Sequence, residues 1–186
     1  MIPTTTVVHV TLALVSAALL RTLALAVKNA HCRAQLHSVL DDHRALLLVV
    51  DRFSRVFEEP LFHMHAGALA FALLATTSLV KGHRDFYVVG LLPTSFAYPT
   101  IMGLEGDLVQ EAGEQMLLMA YASPWPSRLF QDAAGLAFNR DVLAIMLRAS
   151  RPVNLKARWL GSLSLHTLHR ILGSWYSFTQ LYMGLS

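Results

Sequence analysis

Apolar positions in this chain collect into long runs, separated by two polar stretches with helical periodicity. The first run, residues 7–27, reads VVHVTLALVSAALLRTLALAV, with Arg21 as its single charge. About 20 predominantly apolar residues carry a helix across a bilayer core, so this run predicts a spanning helix. A secretory leader would need a basic segment ahead of a shorter apolar stretch, and no Lys or Arg precedes this one. The second run, residues 61–80, holds no formal charge, and its Ala66, Gly67, Ala70 and Ala72 would let neighbouring helices approach closely. The third, residues 86–104, contains Pro93 and Pro99, which predict breaks or kinks that a membrane bundle tolerates. Helicity is expected to resume over residues 105–119. The last apolar stretch, residues 160–185, is punctuated by Ser162, Ser164, Thr167, Ser174, Ser177, Thr179 and Gln180. So many hydroxyls predict a helix with one face toward water or another subunit.

Residues 30–60 place Leu36, Leu40, Leu47, Val50, Phe53 and Phe57 at helical spacing. Asp41, Asp42, Arg44, Asp51, Arg52 and Arg55 occupy the other side. Residues 131–150 read the same way, with Leu136, Val142 and Ile145 opposed by Arg140, Asp141 and Arg148, and Pro152 ending the helix. Both are expected to be amphipathic helices outside the bilayer. Lys and Arg sort with them: Lys28, Arg33, Arg44, Arg52 and Arg55 in one segment, and Arg128, Arg140, Arg148, Arg151, Lys156 and Arg158 in the other. Basic residues favour the cytoplasmic side. The two segments are therefore placed inside and the short turn with Lys81 and Arg84 outside, giving four crossings with both chain ends outside.

Composition narrows the class. Apolar residues make up 54% of the chain and charged residues 15%, against about 25% charged in a typical soluble domain. That deficit argues against a freely soluble enzyme, and the abundance of apolar residues argues against disorder. The net charge of +3 is too modest to suggest a nucleic-acid partner. The lone Cys32 excludes an intrachain disulfide framework and a Cys-rich zinc module. His63 and His65 point apart on a helix, and His166 and His169 share a face but lack nearby carboxylates, so no metal site is expected. Glu105, Asp107, Glu111 and Glu114 are read as a solvated helix face. Gly103 and Gly106 are not followed by a GK[ST] element and no GxSxG occurs, so neither catalysis nor a cofactor is expected.

The second half carries a resemblance to a known family. Tyr121-Ala122-Ser123-Pro124-Trp125 resembles the Y-x-S-P-W signature of insect odorant receptors. Gly106-Asp107-Leu108 with Glu111, Ala112 and Glu114 resembles that family's "fGd-L-i-eaSE" stretch. The run from Met146 to Pro152, then Ser162-Leu163-Ser164-Leu165, then Tyr176-Ser177-Phe178, are similar to later segments of the family in the same order. His43 stands where the family has the histidine of "H-q-l-l". The "T-a-g-k-f" segment is replaced by Lys156-Ala157-Arg158-Trp159-Leu160, and an insertion is expected around residues 130–139.

The resemblance implies an all-α, multi-span membrane bundle with cytoplasmic amphipathic helix extensions, of which this chain is the last four of seven spans. The spans would be residues 7–27, 61–80, 86–104 and 163–185, with cytoplasmic anchor helices at 30–60 and 131–150. It implies a subunit of an odorant-gated cation channel in the plasma membrane of olfactory neurons, working as a heterotetramer with a co-receptor. The last helix would line the pore, with Ser177, Gln180, Leu181 and Gly184 at its narrow part. Phe96 and Tyr98 would face a volatile odorant. A gustatory-type channel and a non-channel helical membrane scaffold or truncated remnant are the alternative readings, and the Tyr176-Ser177-Phe178 ending favours odorant receptors over gustatory ones.

Overall fold

The computed structural model describes residues 4–83, 85–123 and 133–185. The helices are α1 (Thr4–Lys28), α2 (Arg33–Val80), α3 (Phe86–Tyr121), α4 (Ala133–Ala149) and α5 (Leu165–Leu185). Between the last two lies a short antiparallel hairpin, β1 (Lys156–Ala157) and β2 (Gly161–Ser162), with Lys156 opposite Ser162. The fold is the all-α membrane bundle expected. Arg84, Arg128, the Pro124-Trp125 pair and the start of the expected insertion lie outside the described residues.

α1 shows why the chain belongs in a bilayer. Its inward face carries small or polar residues: Thr6, His9, Ala13, Ser16, Ala17 and Ala24, with Leu20 and Val27. Its outward face carries Val7, Leu12, Leu14, Val15 and Leu19. In water this arrangement would be inside out. In a bilayer, apolar branched side chains meet lipid while small ones let helices approach. α1, α2 and α3 are all long and apolar enough to span, whereas α5 is long enough but less apolar.

Two pairs of expected elements are joined into continuous helices. The amphipathic stretch 30–60 and the apolar run 61–80 form one 48-residue helix, α2, which continues through Pro60. At 1.5 Å per residue it is roughly 70 Å long, more than twice a bilayer core. Likewise α3 runs unbroken through Pro93 and Pro99. Hydroxyls beside these prolines bond back to the helix: Thr94 and Ser95 donate to Leu91 O at 2.9 and 2.8 Å, and Thr100 to Phe96 O at 2.8 Å. The same back-bonds occur away from proline, as at Thr11 and Thr22 of α1, so they satisfy the hydroxyls themselves and do not replace the donors that the prolines lack.

The described residues divide into two compact units. The first takes residues 4–53 and 108–155. Its core joins Ala24 and Val27 of α1, Leu36 and Leu40 of α2, Met116 and Ala120 of α3, and Phe138, Val142 and Ile145 of α4. Arg33 reaches Asp141 at 3.0 Å and Arg21 reaches Glu111 at 3.6 Å, so the lone charge of the first apolar run is paired. The second unit takes residues 54–107 and 156–185. There the hairpin is clamped to α2 one turn before Pro60. Lys156 N–H donates to Ser54 Oγ (3.1 Å), Arg158 N–H to Glu58 O (3.2 Å), and the Arg158 guanidinium to Glu59 (3.0 Å). Trp159 at the hairpin tip has φ 67°, a left-handed conformation that costs a bulky residue about 1–3 kcal/mol.

Candidate functional site: the footing and open face of the last helix

α5 starts on α3, and two glycines make the contact possible. A Cβ at Gly106 would lie 1.9 Å from the carbonyl oxygen of Leu163, and one at Gly103 3.2 Å from Ser164. Only a bare backbone admits the incoming chain this closely. Next to Gly106, Asp107 accepts the Leu165 N–H at 3.1 Å, so a carboxylate from α3 caps the positive end of α5. Ser164 is the N-cap itself. Thr167 N–H donates to its Oγ at 3.1 Å, and Thr167 Oγ1 donates to Ser162 O at 2.8 Å. Gly106-Asp107 and Ser162-Leu163-Ser164, two separate segments of the resemblance, are thus the two halves of one joint.

Removing either cap should weaken this footing. Asp107→Ala and Ser164→Ala are each expected to cost about 1 kcal/mol, with the double variant costing less than the sum because both act on one helix end. Thermal unfolding of the detergent-purified receptor checks this, and strict additivity would contradict a shared joint.

Above its footing α5 has two unlike sides. Leu168 and Thr179 are buried, with Leu172, Trp175 and Tyr182 half-buried beside them. The opposite side is open along Arg170, Gly173, Ser177, Gln180, Leu181 and Gly184, and Leu181 is 62% exposed. The three- and four-residue spacing brings all four residues expected at the pore onto this one face. Ser177 donates to Gly173 O at 2.9 Å and Ser174 to Arg170 O at 3.1 Å. Their hydrogens are spent inside the helix, which leaves oxygen lone pairs for water or a cation.

The two expected odorant contacts sit in the same unit. Phe96 stands edge-on to Trp175 of α5, with centroids 5.1 Å apart. Tyr98 stands edge-on to His65 at 5.5 Å and its hydroxyl donates to Met64 Sδ at 3.2 Å. The Trp175 contact could not be foreseen, because nothing in a periodic pattern pairs residue 96 with residue 175. His65 is buried with a ring nitrogen 2.7 Å from Leu61 O, whereas His63 is exposed, as their spacing predicts. Among the described residues no three His, Cys, Asp or Glu side chains converge as metal ligands.

The acidic cluster is the solvated face expected only at Glu111 and Glu114, which are exposed. Glu105 is buried at 3% exposure, and Asp107 caps α5. Glu111 faces Arg21, and Glu114 accepts from Gln110 at 2.9 Å. A helix wheel pairs Gln110 with Glu114 but cannot assign the Asp107 cap or the Glu111–Arg21 pair, which depend on neighbouring elements.

The family model described as "7tm Odorant receptor" matches residues 1–176. The chain belongs to the odorant receptor family. Comparison with the curated proteins finds no match. The family is one of receptors and not of enzymes, and membership agrees with the apolar spans of α1, α2 and α3. The matched residues include the whole α3–α5 joint and stop at Tyr176, so Ser177, Gln180, Leu181 and Gly184 lie beyond the match.

This odorant receptor chain also holds a buried histidine well outside its spanning segments. His43 of α2, in the first unit, is 1% exposed and its Nδ1 makes no hydrogen bond. Burial, and then the Arg148 guanidinium, hold its pKa below the ordinary 6.5. The unfolded chain therefore takes up the proton first as pH falls. The stability carried by the neutral ring is complete above pH 6.5 and is lost as pH drops below it toward the folded value. The unfolding midpoint should fall with acidification through that window, and His43→Gln should flatten the profile. An unchanged slope in the variant would assign the effect elsewhere.

Proposed function

We propose that this chain is the C-terminal part of an odour-tuning receptor subunit that forms an odorant-gated cation channel with a co-receptor in the plasma membrane. The observation that carries the reading is the open face of α5. Gln180 and Ser177 put polar oxygens on it, while Leu181 and Gly184 put an apolar side chain and a bare backbone one turn further on. A ring of such faces gives hydrated contacts for a cation and an apolar constriction that closes by excluding water.

The route from ligand to gate is short in this reading. A small volatile molecule beside Phe96 presses on an aromatic ring whose edge partner, Trp175, belongs to α5. The joint at Gly106 and Asp107 holds the base of α5, so force at Trp175 moves the part above it. An apolar cleft with few polar groups suits a volatile ligand. Odorant-evoked current in cells expressing the receptor that carries this chain together with the co-receptor tests the reading. Current through a cation-selective pathway supports it. A receptor present at the cell surface that stays silent across a broad volatile panel overturns it.

A further inference from the structure

An open groove of about 380 Å³ runs between α2 and α5 in the second unit. Its walls are unlike at the two ends. Leu69, Leu73, Trp175 and Phe178 line the length that lies toward the C-terminal turns of both helices. Arg170, with the hydroxyl of Thr167, lies toward the first turns of α5, beneath Trp159. No carboxylate among the described residues pairs with Arg170, as with Arg52, Arg140, Arg148 and Arg151, but of these only Arg170 lines the groove. Trp159, on the clamped hairpin, is 83% exposed and lines the groove with its indole close to the Arg158 guanidinium.

We propose that this groove binds an anionic phospholipid of the cytoplasmic leaflet, with its phosphate on Arg170 and one acyl chain along Leu69, Leu73 and Phe178. The cytoplasmic placement of the first turns of α5 rests on the reading above. Given that placement, three features converge on a lipid. The guanidinium without a carboxylate sits where the leaflet is negatively charged. The indole sits at the depth where tryptophan is favoured, between headgroup and chain. The apolar wall continues toward the bilayer centre. A guanidinium pairs two-pronged with a phosphate, so a headgroup supplies the counter-charge that the protein does not. Arg170 lies two turns below Ser177 on the open face, and a bound phosphate also removes a bare positive charge from beside the cation path.

Photoactivatable phosphatidylserine and phosphatidylcholine, incorporated separately into vesicles holding the purified full-length receptor, test the site. Phosphatidylserine should label peptides of α5 or the hairpin, and Arg170→Gln should lower that labelling about fivefold, the loss expected for one basic contact. Arg170→Lys should retain most of it, and phosphatidylcholine labelling should be weak and the same in both variants. Three outcomes overturn the proposal. One is equal labelling by the two lipids, another is phosphatidylserine labelling that survives Arg170→Gln, and the third is no lipid label with a second receptor copy cross-linked there instead. Labelling needs no current, so a receptor that labels as expected yet does not conduct refutes the channel reading alone.

Discussion

Gly106→Ala is expected to abolish the folded receptor. The added Cβ would stand 1.9 Å from the Leu163 carbonyl oxygen and 2.6 Å from its carbon, and both belong to backbone that is held on each side. Leu163 cannot retreat without pulling Ser164 off the N-cap and Leu165 away from Asp107, its partner at 3.1 Å. Overpacking in a filled core costs about 1–3 kcal/mol when side chains can give way. A backbone clash with two caps attached exceeds that range. The measurement is the fraction of receptor eluting as a single species after mild detergent extraction, together with its thermal midpoint. Gly173→Ala is the control. It lies on the open face of the same receptor's α5, nothing stands within 4 Å of its added carbon, and it should be no less stable than wild type, alanine being the better helix former by about 0.5–1 kcal/mol. Equal behaviour of the two variants would refute the joint.

Gln180→Arg should silence conduction while leaving the receptor intact. Gln180 is exposed on α5, so a longer side chain meets no packing there. If that face lines the path, a fixed positive charge at about 5 Å from a passing cation costs roughly 3 kcal/mol at an effective dielectric of about 20. Odorant-evoked current should fall at least about tenfold at unchanged surface abundance, and Gln180→Glu should keep or raise it. The opposite-charge variant separates the pore reading from a scaffold, in which both substitutions would alter abundance alone. Current that is indifferent to the sign of the charge would remove Gln180 from the path.

Much of this site was legible in the chain because spacing carries it. Ser177, Gln180, Leu181 and Gly184 fall on one face of any α-helix that includes them, whatever surrounds it. The apolar spans were legible for the same reason, since a bilayer imposes its requirement locally, about 20 residues at a time. Boundaries were less so. Pro60, Pro93 and Pro99 are helix breakers by local rule, yet α2 and α3 pass through all three. Propensity weighs a proline alone, whereas a buried helix also gains from the packing of both its halves.

The glycines and carboxylates of α3 mark the limit. By local pattern Glu105 and Asp107 read as part of a solvated helix face, and Gly103 and Gly106 as glycines that make no phosphate loop. The roles of Gly103, Gly106 and Asp107 come from Leu163, Ser164 and Leu165, more than 50 residues later in the chain. The sequence by itself determined the class of the protein, its three long apolar helices, its family and the polar face of α5, because composition and helical period are local properties. Tertiary structure alone decided that Gly106 admits a backbone, that Asp107 caps α5, that Phe96 touches Trp175 and that Arg170 borders an open groove. Each of those is a distance between positions far apart in the chain, and periodicity holds no information about distances of that kind.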